Sequence, residues 1–248
     1  MEKKEPKVVV NHLTKKFGDL LVLDDLNFEV QEGEFLCIVG PTGCGKTTFL
    51  NSLTRLYEPT AGEILVNGIP VDPKKQNISY IFQEYSSFPW LTVEQNVRFG
   101  LEIKRVPKEE ADASVEEMLD IVGLTKFRSY YPSQLSISML QRVAIARAFA
   151  TKPELLLMDE PYGQLDIDLR FKLEDELLKL WKKTGTTVLF ITHNIEEAVY
   201  LSQNIMVLTN KPTSVKTVLH NPLPLPRDVM SQEFVDLRNQ VTDLIKWW

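Results

Sequence analysis

The chain has 248 residues, of which 44% are apolar and 25% charged, as expected of one large globular domain or of a domain with an inserted subdomain. Its formal net charge of −6 at pH 7 disfavours nucleic acid as a partner. No apolar run approaches the roughly 18–20 residues of a membrane span, and two cysteines, Cys37 and Cys44, are too few for a disulfide framework and fit a reducing cytosol.

The first third of the chain alternates short apolar runs with turn residues, a pattern typical of strands. One longer stretch, which follows a glycine-rich segment, predicts a helix. The predicted elements are strands at 8–10, 21–30, 35–39, 63–66 and 78–82, and a helix at 46–56.

From about residue 92 to residue 150 the pattern is helical instead. Thr92 and Gln95 have the spacing of a capping box that opens a helix. Pro107, followed by acidic residues, predicts a second helix start, and residues 140–150 predict a third helix. This block predicts a helical insertion in an α/β core.

After the insertion, strands and helices alternate again, as in a core with parallel strands. The predicted strands lie at 154–158, 187–192, 205–208 and 214–219, and the predicted helices lie at 168–183, from 194 onward, and at 231–246. An extended, proline-rich linker at 221–227 separates the last strand from the last helix.

Residues 40–47 read Gly-Pro-Thr-Gly-Cys-Gly-Lys-Thr, between a predicted buried strand and a predicted helix. Glycines let the backbone wrap closely around a phosphate, and the N–H groups of the loop and of the helix N-terminus then point at the anion. Lys46 is placed to reach the β- and γ-phosphates, and the Thr47 hydroxyl to ligate Mg²⁺. The alternative is a glycine-rich turn that matches this pattern by chance.

The run 155–158 is apolar and ends in two carboxylates, Asp159 and Glu160. A buried strand that delivers an acid at its carboxyl end suits the Mg²⁺ shell next to a phosphate loop. Asp159 would hold magnesium through water, and Glu160 would orient or deprotonate the attacking water. The alternative is a strand end with two solvated acids.

Three single residues complete the predicted site. His193 follows a strand and could hydrogen-bond the γ-phosphate, or it could be structural. Gln83 ends a strand, where its amide could meet Mg²⁺ or the attacking water, or only cap the strand. Phe17 lies upstream of the phosphate loop and could stack on adenine, or it could be a core aromatic.

Cys44 lies within the phosphate loop, next to a predicted helix N-terminus and to Lys46. Both neighbours favour a negative charge, which predicts a thiolate. The sequence therefore predicts that alkylation of Cys44 blocks ATP binding and that ATP protects the thiol.

These motifs, in this order, resemble the ATP-binding cassette (ABC) ATPases, and the resemblance covers nearly the whole chain. It includes the aromatic Phe17, the Walker A loop 40–48, the Q-loop Gln83, the Walker B segment 155–160, the D-loop 163–166 and the switch His193. The resemblance implies a P-loop NTPase core with an antiparallel β subdomain and an inserted helical subdomain, and the cofactors ATP and Mg²⁺.

The resemblance also assigns roles by position. It implies that ATP is held by Phe17, Gly40, Pro41, Thr42, Gly43, Cys44, Gly45, Lys46, Thr47 and Thr48, that Mg²⁺ is held by Thr47, Gln83 and Asp159, and that Glu160, His193 and Gln83 are catalytic. It divides the single nucleotide-binding domain into a core of 1–87 and 151–220, a helical subdomain of 88–150 and a C-terminal extension of 221–248.

Two segments resemble a narrower group. Residues 87–97 and the tail at 225–230, with Leu237 and Arg238, are similar to the ATPases of nitrate, sulfonate and taurine importers. That similarity implies a peripheral protein on the cytoplasmic face of the membrane, beneath two permease subunits. It also implies an extracytoplasmic binding protein in the same system and a small anion or sulfonate-like solute.

One element departs from the family pattern, which has Leu-Ser-Gly-Gly in its signature. Here Leu135 is followed by Ser136, Ile137, Ser138 and Met139, so both glycines are replaced. In the family this segment closes over the γ-phosphate held by the opposite subunit, together with the D-loop Asp166. Losing one or two charge-assisted hydrogen bonds at roughly 1.5–3 kcal/mol each would weaken closure about ten-fold to more than ten-thousand-fold.

The altered signature leaves three arrangements open. We favour pairing with a different ATPase subunit that has an intact signature, because Glu160 and His193 are retained. The second arrangement is a homodimer with two impaired sites, and the third is a non-catalytic regulatory subunit. A soluble repair or translation protein is disfavoured by the acidic charge and by the lack of a second cassette.

Overall fold

The computed structural model describes residues 5–84, 86–163, 165 and 167–245. The chain forms two compact units, one made of Met1–Gln76 with Thr187–Trp248 and the other of Asn77–Thr186. The first unit thus contains the phosphate loop and His193, and the second contains Asp159, Glu160 and the signature segment.

The described residues form ten strands and seven α-helices. The strands are β1 (Val8–Phe17), β2 (Leu20–Val30), β3 (Phe35–Val39), β4 (Ala61–Val66), β5 (Ile69–Pro70), β6 (Ile78–Ile81), β7 (Leu155–Asp159), β8 (Thr187–Ile191), β9 (Asn204–Leu208) and β10 (Val215–His220). The helices are α1 (Lys46–Leu53), α2 (Val93–Ile103), α3 (Lys108–Ile121), α4 (Ile137–Ala150), α5 (Ile167–Thr184), α6 (Ile195–Leu201) and α7 (Gln232–Ile245).

The first unit has an antiparallel sheet with strand order β2-β1-β4-β5. β1 and β2 form a long hairpin whose pairing runs from Val8 with Val30 to Phe17 with Leu20. Residues of β1 that face inward, such as Val8 and Val10, are buried, because side chains alternate between the faces of a strand. The hairpin therefore carries Phe17 to its tip.

The first unit also has a set of parallel strands. β3 pairs in parallel with β8 and with β9, and β10 closes this set antiparallel to β9. Every residue of β3 and of β8 is buried, which explains the continuous apolar runs in the sequence. Since Ile38 lies opposite Ile191, the segments after β3 and β8 leave the same edge of the strands.

The second unit has its own parallel pair. β6 pairs with β7 from Ile78 with Leu155 to Ile81 with Met158. All five residues of β7 are buried, including the terminal Asp159. Because parallel strands end at a common edge, Gln83 and Asp159 both lie at the carboxyl end of this pair.

Helices α2, α3 and α4 pack on one another in the second unit. Thr92 and Gln95 form the predicted capping box at the start of α2. Pro107 precedes α3, and two acids follow in its first turn, as predicted. Gly100 allows α2 to approach the end of α4, since a Cβ there would lie only 2.6 Å from the Thr151 methyl group. None of the described helices is long and apolar enough to cross a membrane.

Several boundaries differ from the sequence-based expectation. α4 begins at Ile137 rather than near residue 140, because the Ser136 hydroxyl accepts a hydrogen bond from the Met139 amide and caps the helix. α1 ends at Leu53 rather than at residue 56, and Arg55 has a positive φ of 55° that no helix accommodates. The predicted divisions at residues 87, 150 and 220 remain predictions.

Candidate functional site

The loop between β3 and α1 needs glycine at two positions. Gly45, the N-cap of α1, has a φ of 125°, a conformation that residues with a Cβ rarely adopt. A Cβ at Gly45 would also lie 3.0 Å from a methyl group of Val22. At Gly40 a Cβ would lie 3.1 Å from the Cβ of Leu208. Backbone conformation therefore requires glycine at position 45, and close packing against Leu208 requires it at position 40.

Lys46, the first residue of α1, is only 5% exposed. Its ammonium group donates hydrogen bonds to the carbonyl oxygens of Gly40, at 3.0 Å, and Pro41, at 3.2 Å. Within α1, all of which the structure describes, no acidic residue occupies the first turn. A buried cation thus lies over the loop beside a helix N-terminus, an arrangement suited to a phosphate.

The thiolate predicted at Cys44 is wrong. The side chain is 2% exposed, and a Cβ at Gly40 would lie 3.3 Å from its sulfur. Burial raises the pKa of the Cys44 thiol above its ordinary value, and this effect outweighs the opposing charge of Lys46. Cys44 is therefore a buried neutral thiol behind the loop.

His193 is exposed and lies two residues beyond the end of β8, at the edge where the phosphate loop follows β3. The turn that carries it is fixed on both sides. The Thr192 hydroxyl donates to the buried Glu197 carboxylate at 2.6 Å and accepts from the Asn194 amide at 2.9 Å. Asn194 caps α6 by accepting from the Glu196 amide, as its position before a helix predicts.

Thr192 and Glu197 are site residues that sequence reasoning missed. Thr192 lies two residues before the N-cap Asn194, and Glu197 is the third residue of α6, in its first turn. An acid three residues after the N-cap is the signal that could have identified Glu197, because a carboxylate there reaches back over the helix start.

Phe17 is 42% exposed, which excludes a role as a buried core aromatic. Its ring meets the ring of Tyr57 edge-on, with centroids 5.2 Å apart. The Lys15 ammonium lies 4.9 Å from the centroid of Phe17 and donates to the Glu58 carbonyl at 2.7 Å. The two rings and the cation form an exposed platform that can stack on a nucleobase. Tyr57 and Lys15 carry no sequence signal for this role.

In the second unit, Asp159 is 4% exposed, so it is not one of two solvated acids. The Tyr80 hydroxyl donates to its Oδ2 at 3.3 Å. Glu160 is partly exposed and has a positive φ of 45°, which is uncommon for a residue with a side chain. Backbone conformations of this kind cluster at functional sites.

Gln83 is exposed and lies two residues beyond the end of β6, next to the exposed Phe82. The second unit thus brings Gln83 and Asp159 to the same edge of its parallel pair. Oxygen atoms of the Asp159 carboxylate, the Gln83 amide and the Thr47 hydroxyl belong to the hard donor type that Mg²⁺ prefers. The donor chemistry therefore fits the predicted metal.

The signature segment forms the first turn of α4. Ser136 caps the helix, and its hydroxyl lies 2.9 Å from that of Ser138, so the two serines hydrogen-bond to each other. Ile137 is 50% exposed and Met139 is partly exposed. Of the predicted D-loop, Leu165 is buried, and Gln164 and Asp166 lie outside the described residues.

A glycine-rich loop between a buried parallel strand and a helix, with a lysine at the helix start, defines a nucleotide-binding protein of the P-loop class. The family model "ABC transporter" matches residues 23–163. The chain belongs to the ABC transporter family and is a transport ATPase, as the motifs predicted.

Two relatives are similar in sequence to this chain over nearly its whole length. An uncharacterised ABC transporter ATP-binding protein of Methanocaldococcus jannaschii is 44% identical over 244 residues, which cover 97% of this chain and 91% of that protein. An aliphatic sulfonates import ATP-binding protein of Bacillus cereus is 40% identical over 233 residues, which cover 94% and 92% of the two chains.

Solved structures give the same family. CbiO1 of Clostridium perfringens, part of the ABC transporter complex CbiONQ, superposes with a TM-score of 0.80 at 25% identity, over 93% of each chain. An ATP-binding cassette in a dimeric post-hydrolysis state, bound to ADP and phosphate, superposes with a TM-score of 0.75 at 32% identity, over 89% of this chain and 99% of that one. The expected P-loop fold with an antiparallel β subdomain and a helical subdomain is confirmed.

Proposed function

We propose that the residues of the sequence motifs bind and hydrolyse ATP, each in a separate role. Lys46 and the N-terminus of α1 bind the phosphates, and Phe17 stacks on the adenine. The observation that carries this proposal is the phosphate loop, where a buried ammonium group lies beside a helix N-terminus. The remaining loop residues, from Gly40 to Thr48, surround the triphosphate, and all of them except Pro41 have a backbone N–H group that can donate to it.

Thr47, Asp159 and Gln83 would hold Mg²⁺, because each offers an oxygen donor. The bound metal supplies charge neutralisation of the phosphate oxygens. Glu160 orients the attacking water and accepts its proton, and His193 hydrogen-bonds the γ-phosphate. The fixed turn around Thr192 keeps the His193 backbone in place for that contact.

The test is Glu160→Gln, which keeps the shape of the side chain and removes its basicity. In the assembled transporter we expect ATP turnover to fall by about a hundred-fold or more, while ATP still binds. Turnover is followed by phosphate release and binding by a fluorescent ATP analogue.

A matched control is Glu102→Gln, an exposed carboxylate on α2, which should leave turnover unchanged. An unaltered rate in the Glu160→Gln complex would show that this chain is not the hydrolytic half. That result would favour the non-catalytic regulatory reading instead.

We also propose that the chain pairs with a different ATPase subunit. Ile137 places a branched apolar side chain, half exposed, at the N-terminus of α4. In the family this helix end faces the γ-phosphate of the opposite subunit, and an apolar side chain there offers no donor to a trianion. The signature of the partner would complete the hydrolysis site at the phosphate loop of this chain. The partner's own nucleotide would face the altered signature of this chain and would be hydrolysed slowly. A homodimer with two impaired sites is the alternative.

The partners follow from the same family. We propose that the chain binds, as a peripheral protein on the cytoplasmic face of the membrane, to two permease subunits served by an extracytoplasmic solute-binding protein. The names of the sulfonate import relatives support a small anion or sulfonate-like solute. A groove of about 380 Å³ in the second unit, lined by Phe82, Phe88 and Phe99 among others, offers an apolar surface for a permease segment.

A further inference from the structure

The connection between β9 and β10 is a compact loop in the first unit, behind the phosphate loop. The Thr209 hydroxyl accepts from the Ser214 amide at 2.8 Å, and the Thr209 amide donates to the Ser214 carbonyl at 3.0 Å. These two bonds close the loop on itself. At its end lies Thr213, which is fully buried, with 0% exposure.

The backbone of Thr213 is tied to β2. Its amide donates to the Val22 carbonyl at 2.9 Å, and its carbonyl accepts from the Asp24 amide at 2.8 Å. Leu23, between these two residues, forms an isolated parallel bridge with Thr213. The position of the Thr213 backbone is therefore fixed by a strand that is itself paired with β1, from Leu20 to Val30.

The Thr213 hydroxyl donates a hydrogen bond to the carbonyl oxygen of Cys44, inside the phosphate loop. The Cys44 carbonyl and the Gly45 amide belong to one planar trans peptide, so they point in opposite directions. A carbonyl held toward Thr213 turns the Gly45 N–H toward the open side of the loop. We propose that Thr213 is a positioning residue that aims this N–H at the bound phosphate.

The residues around Gly45 explain why the hydrogen bond from Thr213 is needed. Gly45 has a φ of 125°, and the three heavy atoms nearest to a Cβ built at Gly45 belong to Val22, Leu23 and Thr213. Without the hydroxyl, the Cys44 carbonyl would be buried unpaired, at a cost, or would rotate toward water and turn the Gly45 N–H inward. Either change weakens the cradle for the phosphate.

This inference rests on the proposed ATP binding at residues 40–48. The test compares Thr213→Val, which removes the hydroxyl and keeps the shape, with Thr213→Ser, which keeps the hydroxyl. We expect the Kd of the full-length protein for ATP to rise about three- to ten-fold in the valine variant and to stay near the wild-type value in the serine variant. Inorganic tripolyphosphate, which lacks the base, should lose affinity in parallel.

Thermal unfolding of each variant is measured alongside. Equal ATP affinity in folded Thr213→Val and wild-type protein would overturn the inference, as would equal losses in the valine and serine variants. If the valine variant does not fold, Thr213→Ala repeats the test. Failure of both to fold, while Thr213→Ser folds, would show a purely structural role and also overturn the inference. Failure of the wild-type protein to bind ATP would overturn the proposed function itself.

Discussion

At the scale of single residues, Cys44 shows how burial decides the chemistry of a group whose sequence neighbours suggest otherwise. A helix N-terminus and Lys46 both favour the thiolate, and the sequence shows both. It does not show that the side chain turns inward, away from water. Desolvation is the largest influence on the thiol and raises its pKa, so the charged form is disfavoured.

We therefore expect Cys44 to react slowly with iodoacetamide at neutral pH, compared with the same protein in urea. ATP should add little protection. Because its pKa is raised in the folded state, the thiol contributes stability below the ordinary value of 9.0. This contribution is lost as the pH rises through the higher folded pKa. Labelling kinetics and urea unfolding across this range measure both effects.

The control is Cys44→Ser, which leaves the fully buried Cys37 as the other thiol. Rapid labelling of the wild-type protein at pH 7, abolished by ATP and absent from Cys44→Ser, would contradict the assignment of a buried neutral thiol.

At the scale of elements, helix α6 is held at both ends. Its first turn is fixed by Asn194 and by the bond between Thr192 and Glu197. At its last turn, the buried Arg227 donates to the carbonyls of Tyr200, at 2.5 Å, and Ser202, at 2.8 Å. Burial lowers the pKa of Arg227 to about 10, which still leaves it charged at neutral pH.

A cation at the C-terminus of a helix satisfies carbonyls that the helix leaves unpaired. Asn221 adds to this contact by donating to the carbonyls of Val199 and Ser202, at 2.8 and 3.0 Å. The stretch 221–227, which the sequence predicts to be an extended linker, thus also holds the C-terminal end of α6, the helix that follows His193, through hydrogen bonds.

Arg227→Ala should lower the free energy of unfolding by about 3 kcal/mol, because two buried carbonyls lose a charged donor. Urea unfolding followed by circular dichroism measures the change. Arg238→Ala, on a half-buried position of α7, is the matched control and should cost less than about 1 kcal/mol. Equal losses in the two variants would show that the contacts of Arg227 do not stabilise α6.

The helices and loops also show which features of this fold can be predicted from the sequence. The helix starts predicted at Thr92, Pro107 and Asn194 are confirmed, because a helix start is encoded by a few adjacent residues. The glycines of the phosphate loop were recognised by their spacing. The sequence does not identify Tyr57, in the exposed platform, or the positioning residue Thr213, since their roles come from contacts between distant parts of the chain.

At the scale of the whole molecule, the proposed pairing with a different ATPase subunit can be tested by the composition of the transporter. Purification of the intact transporter through a tag on this chain should yield permease subunits and one other ATPase, in equal amounts with this one. Mass spectrometry of the intact complex gives the copy numbers. Two copies of this chain with normal ATP turnover would reject the heterodimer.

A functional readout accompanies the copy numbers. Changing Ile137 and Ser138 together to glycine restores the family pattern, so turnover at the partner's site should rise about ten-fold or more. Ile103→Gly, another exposed isoleucine in the second unit, is the control and should leave turnover unaltered. No increase in the double variant would show that the altered signature is not what limits closure.

The two hydrogen bonds from Lys46 to the loop carbonyls have a consequence for the life of the chain in the cell. A buried ammonium group that relied on a bound phosphate for its partners would make folding depend on the nucleotide supply. Here the chain provides the partners itself. The burial of Lys46 therefore does not by itself tie folding of the subunit to a supply of ATP.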